Sequence, residues 1–194
     1  MTESTGSGPG AHDRSVDSAG EVLLETRRFR VVRVRESLAD GGSRDREIIQ
    51  HPGSVVIVPL VTPAEVCLVE VVRVAVGRPL LELPAGTLDR EESLADAALR
   101  ELAEETGYRA GRLESVGGFW MSPGILCERM HLFVAGDLVA GPQALEPGEQ
   151  IRTRHVAWDD AVTMCLDGTI EDAKSVAGIL LTDARRRRPP TPSR

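Results

Sequence analysis

The stretch Gly86-Thr-Leu-Asp-Arg-Glu-Glu92, then seven residues, then Arg100-Glu-Leu-Ala-Glu-Glu-Thr-Gly-Tyr108 decides both the fold of this chain and its chemistry. Glu101, Glu104 and Glu105 stand at i, i+3 and i+4, so on a helix their carboxylates share one face. Like charges at that spacing weaken an isolated helix by about 0.2–0.5 kcal/mol per pair. Arg100 reaches Glu104 or back toward Glu92, yet one guanidinium cannot neutralise four carboxylates, whereas a divalent cation can. Oxygen-only ligands favour a hard ion, Mg²⁺ with Mn²⁺ as a substitute, over zinc. A hard ion in turn points to a phosphate compound as substrate.

On an arbitrary acidic helix the same glutamates are a solvated face, and the flanking residues argue against that here. Ser93 with Asp96 reads as an N-terminal capping box, and Gly107 as a left-handed C-cap. Leu94, Ala98, Leu99 and Leu102 are expected to form the buried stripe. Gly86, expected on a loop ahead of the helix, frees backbone carbonyls to turn toward the acidic face.

Outward from this segment the pattern changes to strands. Alternation over Phe29–Arg35, a turn at Asp40-Gly41-Gly42 and an extended run over Arg46–Gln50 predict a hairpin. Val55–Val61 and Val66–Val74 read as core strands, and Leu80–Leu83 as a further strand leading into Pro84-Ala85-Gly86. Beyond the helix, strands are expected over Arg112–Gly118, Met130–Leu138 and Arg152–Trp158, then helices over Asp159–Asp167 and Thr169–Arg185. Strands and helices do not alternate strictly, so the fold class is α+β, a mixed sheet with helices on its faces. Residues 1–20, almost without large apolar side chains, and residues 186–194 are expected to be tails. The Arg185–Arg188 run is otherwise a polyanion-binding patch.

With 194 residues, one catalytic domain plus short additions is the economical reading. A net charge of −7 and a pI near 5.2 argue against nonspecific nucleic-acid binding, which needs a basic surface. Cys67, Cys127 and Cys165 form no C-x-x-C pair and read as small buried hydrophobes in a reducing cytosol. No charged-then-apolar leader and no apolar run near ~18 residues are present, so no membrane association or secretion is expected. Of 23 Lys and Arg residues only Lys174 is a lysine, a bias that by itself suggests no function.

Glycine, five residues, Glu, seven residues, then Arg-Glu-aliphatic-x-Glu-Glu-x-Gly-aliphatic is the Nudix box, and the chain resembles it at every fixed position; only Tyr108 departs, where an aliphatic residue is usual. Gly53-Ser-Val-Val-Ile-Val-Pro, Glu82-Leu-Pro-Ala-Gly86, Ser122-Pro123-Gly124 followed by Glu128, and Asp172-Ala-Lys-Ser-Val resemble the branch that hydrolyses ADP-ribose and other nucleoside-diphosphate sugars. The resemblance runs from about Phe29 to Ala184. It implies the Nudix fold, with an N-terminal β extension over 21–52 and a hydrolase domain over 53–185. It further implies a homodimer whose N-terminal strands pack across the partner's active site; the cysteines and the absence of a leader place the expected protein in the cytoplasm.

Carried over position by position, the family implies metal ligands at Glu101, Glu105 and the Ala85 carbonyl, with Glu104 as a further ligand or bridge. Glu92 and Arg100 would form an orienting salt bridge, and Glu149, or else Glu146, would take a proton from the attacking water. Arg73, Glu82, Gly86, Pro123, Gly124 and Glu128 would meet the substrate, a small nucleoside-diphosphate sugar cleaved for ADP-ribose into AMP and ribose 5-phosphate. The branch usually shows Gln-Tyr-Arg where this chain has Val71-Val72-Arg73, so a polar and an aromatic contact are absent. Another sugar nucleotide, an oxidised nucleotide, or a non-cleaving sensor role are the alternatives. His131 and His155 fall among apolar strand residues and read as structural. Phe119 and Trp120, expected on a loop near the site, either stack on an adenine or pack in the core.

Overall fold

The computed structural model describes residues 20–188, which form two units parting between Gln50 and His51. The tails expected at 1–20 and 186–194 fall outside these residues, except for Gly20 and residues 186–188.

In the first unit, β1 (Glu21–Glu25), β2 (Arg30–Ser37) and β3 (Ser43–Gln50) form an antiparallel sheet in that order. The hairpin expected from the alternation is present, in unbroken register from Arg30↔Gln50 to Ser37↔Ser43. Gly41 takes φ 83° in its turn, a conformation glycine adopts at no steric cost. Arg33 bridges Glu21 and Glu47, and Arg44 and Arg46 share Glu36. All of these pairs are exposed and worth little each. Val22, Leu23 and Leu24 of β1 are exposed as well.

In the second unit, β4 (Ser54–Thr62) is the buried centre of a mixed seven-stranded sheet. It pairs antiparallel with β5 (Glu65–Arg73) and parallel with β9 (Arg129–Ala140). β10 (Ile151–Ala157) lies outside β5, and β8 (Tyr108–Trp120) outside β9. β6 (Arg78–Glu82) adds to β5, and β7 (Ala85–Thr87) to β4. Successive side chains of a strand point to opposite faces, so β4 serves two cores. Val55 and Ile57 pack with Ala97, Ala98 and Leu102 of α1 (Leu94–Thr106). Val56 and Val58 join Leu68, Leu83, Ile170 and Ile179 under α2 (Trp158–Leu166) and α3 (Ala173–Arg186). The result is the expected mixed sheet between helices.

Several boundaries and burials differ from expectation. Gly86 lies in β7, not in a loop, because Val55↔Gly86 pairing extends the sheet there. α3 starts at Ala173, since the Asp172 carboxylate accepts the Ser175 N–H at 3.0 Å and caps it. Arg186 belongs to α3 and not to a tail, and its guanidinium sits over the Trp158 ring at 4.6 Å. Phe119 and Trp120 end β8, where Phe119 packs on the core and Trp120 stacks with Arg129 at 5.2 Å. His155 is exposed on β10, its ring 3.1 Å from the Tyr108 hydroxyl, so it is no core histidine. On α1 Ala97 is buried beside Ala98 and Leu102, while Leu99 is 36% exposed. At 3.6 residues per turn, Leu99 falls well off the face shared by Leu94, Ala98 and Leu102.

Gly107 ends α1 at φ 75°, and its N–H donates to the Ala103 carbonyl at 3.0 Å. A Cβ there would stand 2.3 Å from the Gly141 carbonyl oxygen, a backbone atom that cannot step aside cheaply. Gly107→Ala should therefore cost more than about 1 kcal/mol, read as a lower urea midpoint at unchanged slope.

Cys67 is fully buried, and burial, reinforced by Glu65, pushes its thiol up to about 12. At pH 8 it carries almost no thiolate. A thiol-specific disulfide reagent at that pH should leave Cys67 unmodified in the native protein and modify it in denaturant, as read by peptide mass mapping.

Candidate active site

The inward face of α1 is apolar at its start and acidic at its end. Glu101 and Glu105 follow Leu94, Ala98 and Leu102 around the same face, so the fold directs their carboxylates toward the sheet. Glu105 is 8% exposed, and its carboxylate accepts the Ala85 N–H at 3.0 Å. Burial pushes its pKa up to about 8, the Ala85 bond opposing, with Glu101 and Glu149 adding to the rise and Lys174 opposing it. Burial likewise raises Glu101, against the pull of Arg100.

Gly86 is required for space. A Cβ on it would lie 1.9 Å from the Glu101 carboxylate, and its φ is not left-handed. The expectation that Gly86 serves to turn carbonyls is corrected: its bare Cα lets Glu101 rest on the β7 backbone. The Ala85–Gly86 backbone thus meets the Glu101 carboxylate at Gly86 and that of Glu105 at the Ala85 N–H.

Arg100 joins the rest of the cluster. Its guanidinium donates to Glu92 at 2.6 Å, Glu101 at 2.7 Å and Glu104 at 2.9 Å, with all four side chains about four-fifths buried or more. Burial alone would lower the Arg100 pKa, and these bonds outweigh it and keep the group charged. Arg90, which the sequence reading missed, lies 3.7 Å from Glu104 and 3.0 Å from Glu146.

Glu149 is brought over this face by the segment 141–150. Ala144 N–H donates to the Glu104 carbonyl at 3.0 Å and the Gln143 amide donates to the Glu105 carbonyl, which ties the segment to the last turn of α1. Glu149 is near enough to raise Glu101 and Glu105 electrostatically, and its carboxylate accepts the Glu146 N–H at 2.9 Å. Glu146 turns instead to Arg90.

The other predicted residues divide. Glu128 is held by the Ser54 hydroxyl at 2.8 Å. Ser54 pairs in register with Thr87 of β7, which sets Glu128 at the same end of β4 as Gly86. Pro123 and Gly124 are exposed in the turn after β8, where Leu126 N–H donates to the Ser122 carbonyl at 2.8 Å. Arg73 and Glu82 meet one another: the Arg73 Nε and Nη2 groups donate to Glu82 at 2.8 and 2.7 Å. Glu82 is 1% exposed; burial would raise its pKa, and Arg73 with Lys174 turns the shift downward. Lys174 is the second residue missed. Its signal was the helical spacing of 174, 175, 178, 179 and 182, which makes the only lysine a core-facing position.

Among the described residues no three His, Cys, Asp or Glu side chains already stand as a metal cage, because Arg100 draws Glu92, Glu101 and Glu104 to itself. The donor set still fits a hard cation. Glu101 and Glu105 bring two carboxylates to the backbone that carries the Ala85 carbonyl, a donor set made of oxygen alone.

Comparison with known proteins shows the family and the fold. The family model described as NUDIX domain matches residues 50–179. An ADP-ribose pyrophosphatase of Bacillus subtilis (strain 168) is 33% identical over 144 residues, covering 73% of this chain and 78% of that protein. A methanol dehydrogenase activator of Bacillus methanolicus matches at the same identity and coverage. A crystal structure of an ADP compounds hydrolase superposes with TM-score 0.73 at 25% identity, covering 85% of this chain and 90% of that one.

Gly86→Ala tests the contact between β7 and α1. The clashing atoms are the end of a flexible side chain, so the fold should survive while Glu101 swings away. Mn²⁺ affinity measured by paramagnetic titration should fall about tenfold or more with circular dichroism unchanged.

Proposed function

Because this chain belongs to the Nudix hydrolases, we propose that it is a metal-dependent pyrophosphatase that cleaves ADP-ribose, or a related ADP-sugar, into AMP and the sugar phosphate. The observation that carries the reading is the meeting of the Glu101 and Glu105 carboxylates with the Ala85–Gly86 backbone at the end of β4. Names of relatives that act on ADP-ribose and ADP compounds support the substrate class.

Glu101, Glu105 and the Ala85 carbonyl would hold Mg²⁺, with Glu104 as a further ligand or bridge and Mn²⁺ as a substitute. When bound, such an ion supplies Lewis-acid polarisation and neutralises diphosphate charge. Arg100 clamps Glu92, Glu101 and Glu104, which fixes the carboxylates before substrate arrives. Glu149 takes the proton of the attacking water, carried to the site by the segment anchored on α1. Arg73 meets the diphosphate, with Glu128, Gly86 and the Pro123-Gly124 turn around the remainder of the ligand. Val72 is 53% exposed where the branch has an aromatic residue, so less of the ligand is gripped there.

The hydrolase domain is assigned to 53–185 and the N-terminal β extension to 21–52. The exposed Val22, Leu23 and Leu24 support a role for that extension in a homodimer. Among the described residues no helix is long and apolar enough to cross a membrane. A cytoplasmic site of action, on a small nucleotide substrate and no nucleic acid, is part of the same proposal.

Two measurements test it. Mass-identified products from a panel of diphosphates should include AMP and ribose 5-phosphate from ADP-ribose; inertness toward ADP-ribose beside fast turnover of another sugar nucleotide would overturn the substrate. Glu105→Gln keeps shape and removes charge, so turnover at saturating Mg²⁺ should fall by about 10³-fold or more, with a native melting curve. A kcat equal to that of the unsubstituted enzyme would remove the carboxylate cluster from the mechanism.

A further inference from the structure

Lys174 is the one lysine of the chain, and it is buried in the first turn of α3. Its Nζ bonds to the Glu82 carboxylate and lies 2.9 Å from Asp172. Glu82 in turn accepts from Arg73 through Nε and Nη2. Asp172, Lys174, Glu82 and Arg73 thus form a charge-balanced chain from the core to a guanidinium that is 44% exposed. Lys174 is itself fixed by its turn: Asp172 caps the Ser175 N–H, and the Ser175 hydroxyl accepts the Leu83 N–H at 2.7 Å.

The two ends of Glu82 have different tasks. One Glu82 oxygen accepts from Arg73 Nε, and the other is shared between Arg73 Nη2 and Lys174. Nη1 is the Arg73 donor outside that pair. Without the ammonium, a carboxylate that is 1% exposed keeps Arg73 as its one cationic partner. The guanidinium is then drawn inward as a counterion, and the ground beside Glu105 gains a net negative charge. Both changes oppose an anionic ligand and leave the Glu101 and Glu105 contacts with β7 in place.

We propose that Lys174 is a positioning residue for substrate recognition, holding Glu82 from the core side so that Arg73 keeps one orientation toward the diphosphate. The inference rests on the role given to Arg73 above.

The test compares the full-length enzyme with Lys174→Met, Arg73→Ala and the double variant Glu82→Gln/Lys174→Met. Steady-state kinetics with ADP-ribose at saturating Mg²⁺ are paired with calorimetric binding of a non-hydrolysable α,β-methylene analogue of ADP-ribose. Lys174→Met should raise KM and weaken the analogue about tenfold, roughly 1.4 kcal/mol, with a far smaller change in kcat. A purely structural lysine gives another signature: unfolding lowers apparent kcat with the folded fraction and leaves KM unmoved. The double variant removes the orphaned charge as well, which keeps the test open if Lys174→Met folds poorly; with Arg73 no longer held, it should still raise KM and weaken the analogue, and unchanged values there would overturn the inference. Unchanged KM and analogue affinity in Lys174→Met, with both weakened in Arg73→Ala, would overturn the inference and leave the role of Arg73 standing. Unchanged affinity in Arg73→Ala would overturn that role and the inference with it.

Discussion

Everything in the second unit is arranged around carboxylates that a helix turns inward. Glu101 and Glu105 share the face that begins with Leu94 and Ala98, so packing α1 on β4 carries negative charge to the sheet along with apolar surface. Two like charges ~4 Å apart repel by about 4 kcal/mol at an effective dielectric of 20, which makes the cluster costly unless cations and N–H donors face it. Arg100 bonds to three of the four glutamates of the motif, and the Ala85 N–H serves the fourth. Glu105 bears chiefly the cost of burial, which pushes its pKa up to about 8, and Glu101 and Glu149 add to the rise.

The surrounding fold holds the opposing wall still. β7 has three residues, too few to be stable alone, and it is fixed from both sides. Register with β4 places Gly86 opposite Val55, and the first turn of α3 takes the Leu83 N–H and Glu82 just upstream. Gly178, one turn further along α3, faces Leu83 so closely that a Cβ would lie 2.7 Å from its Cδ1. Ser175 and Gly178 thus close the core under α3 on Leu83, two residues ahead of Ala85. Core packing and site geometry are one constraint here, and a buried ion chain is a reasonable device for it, because removing one partner strands a charge.

The segment that carries Glu149 follows another rule. It is exposed, and it is tied to the last turn of α1 by bonds to the Glu104 and Glu105 carbonyls. Those carbonyls belong to the group a helix leaves unsatisfied at its C-terminus, so the anchor uses donors the helix end requires in any case. Glu149 is thereby held near Glu101 and Glu105 by bonds that leave its own side chain out of the anchor.

Local signals determined the elements that carry the site. Ser93, Asp96 and Gly107 mark the ends of α1 by side-chain and left-handed caps, interactions within a few residues of each other, and continuous β-branched runs bounded by Pro and Gly mark β4 and β5. The glutamate spacing likewise fixed which carboxylates share a helix face. Tertiary structure alone decided what each meets. Leu99 gave way to Ala97 because the sheet selects which arc of α1 is buried, and Gly86 entered a strand because Val55 stood opposite it. Lys174 lies 92 residues from the carboxylate it serves, and Ser175 the same distance from Leu83. Helical spacing marks Lys174 and Ser175 only as core-facing; which distant groups they meet is settled when the elements close on one core, and only the folded arrangement brings the lone lysine to Glu82.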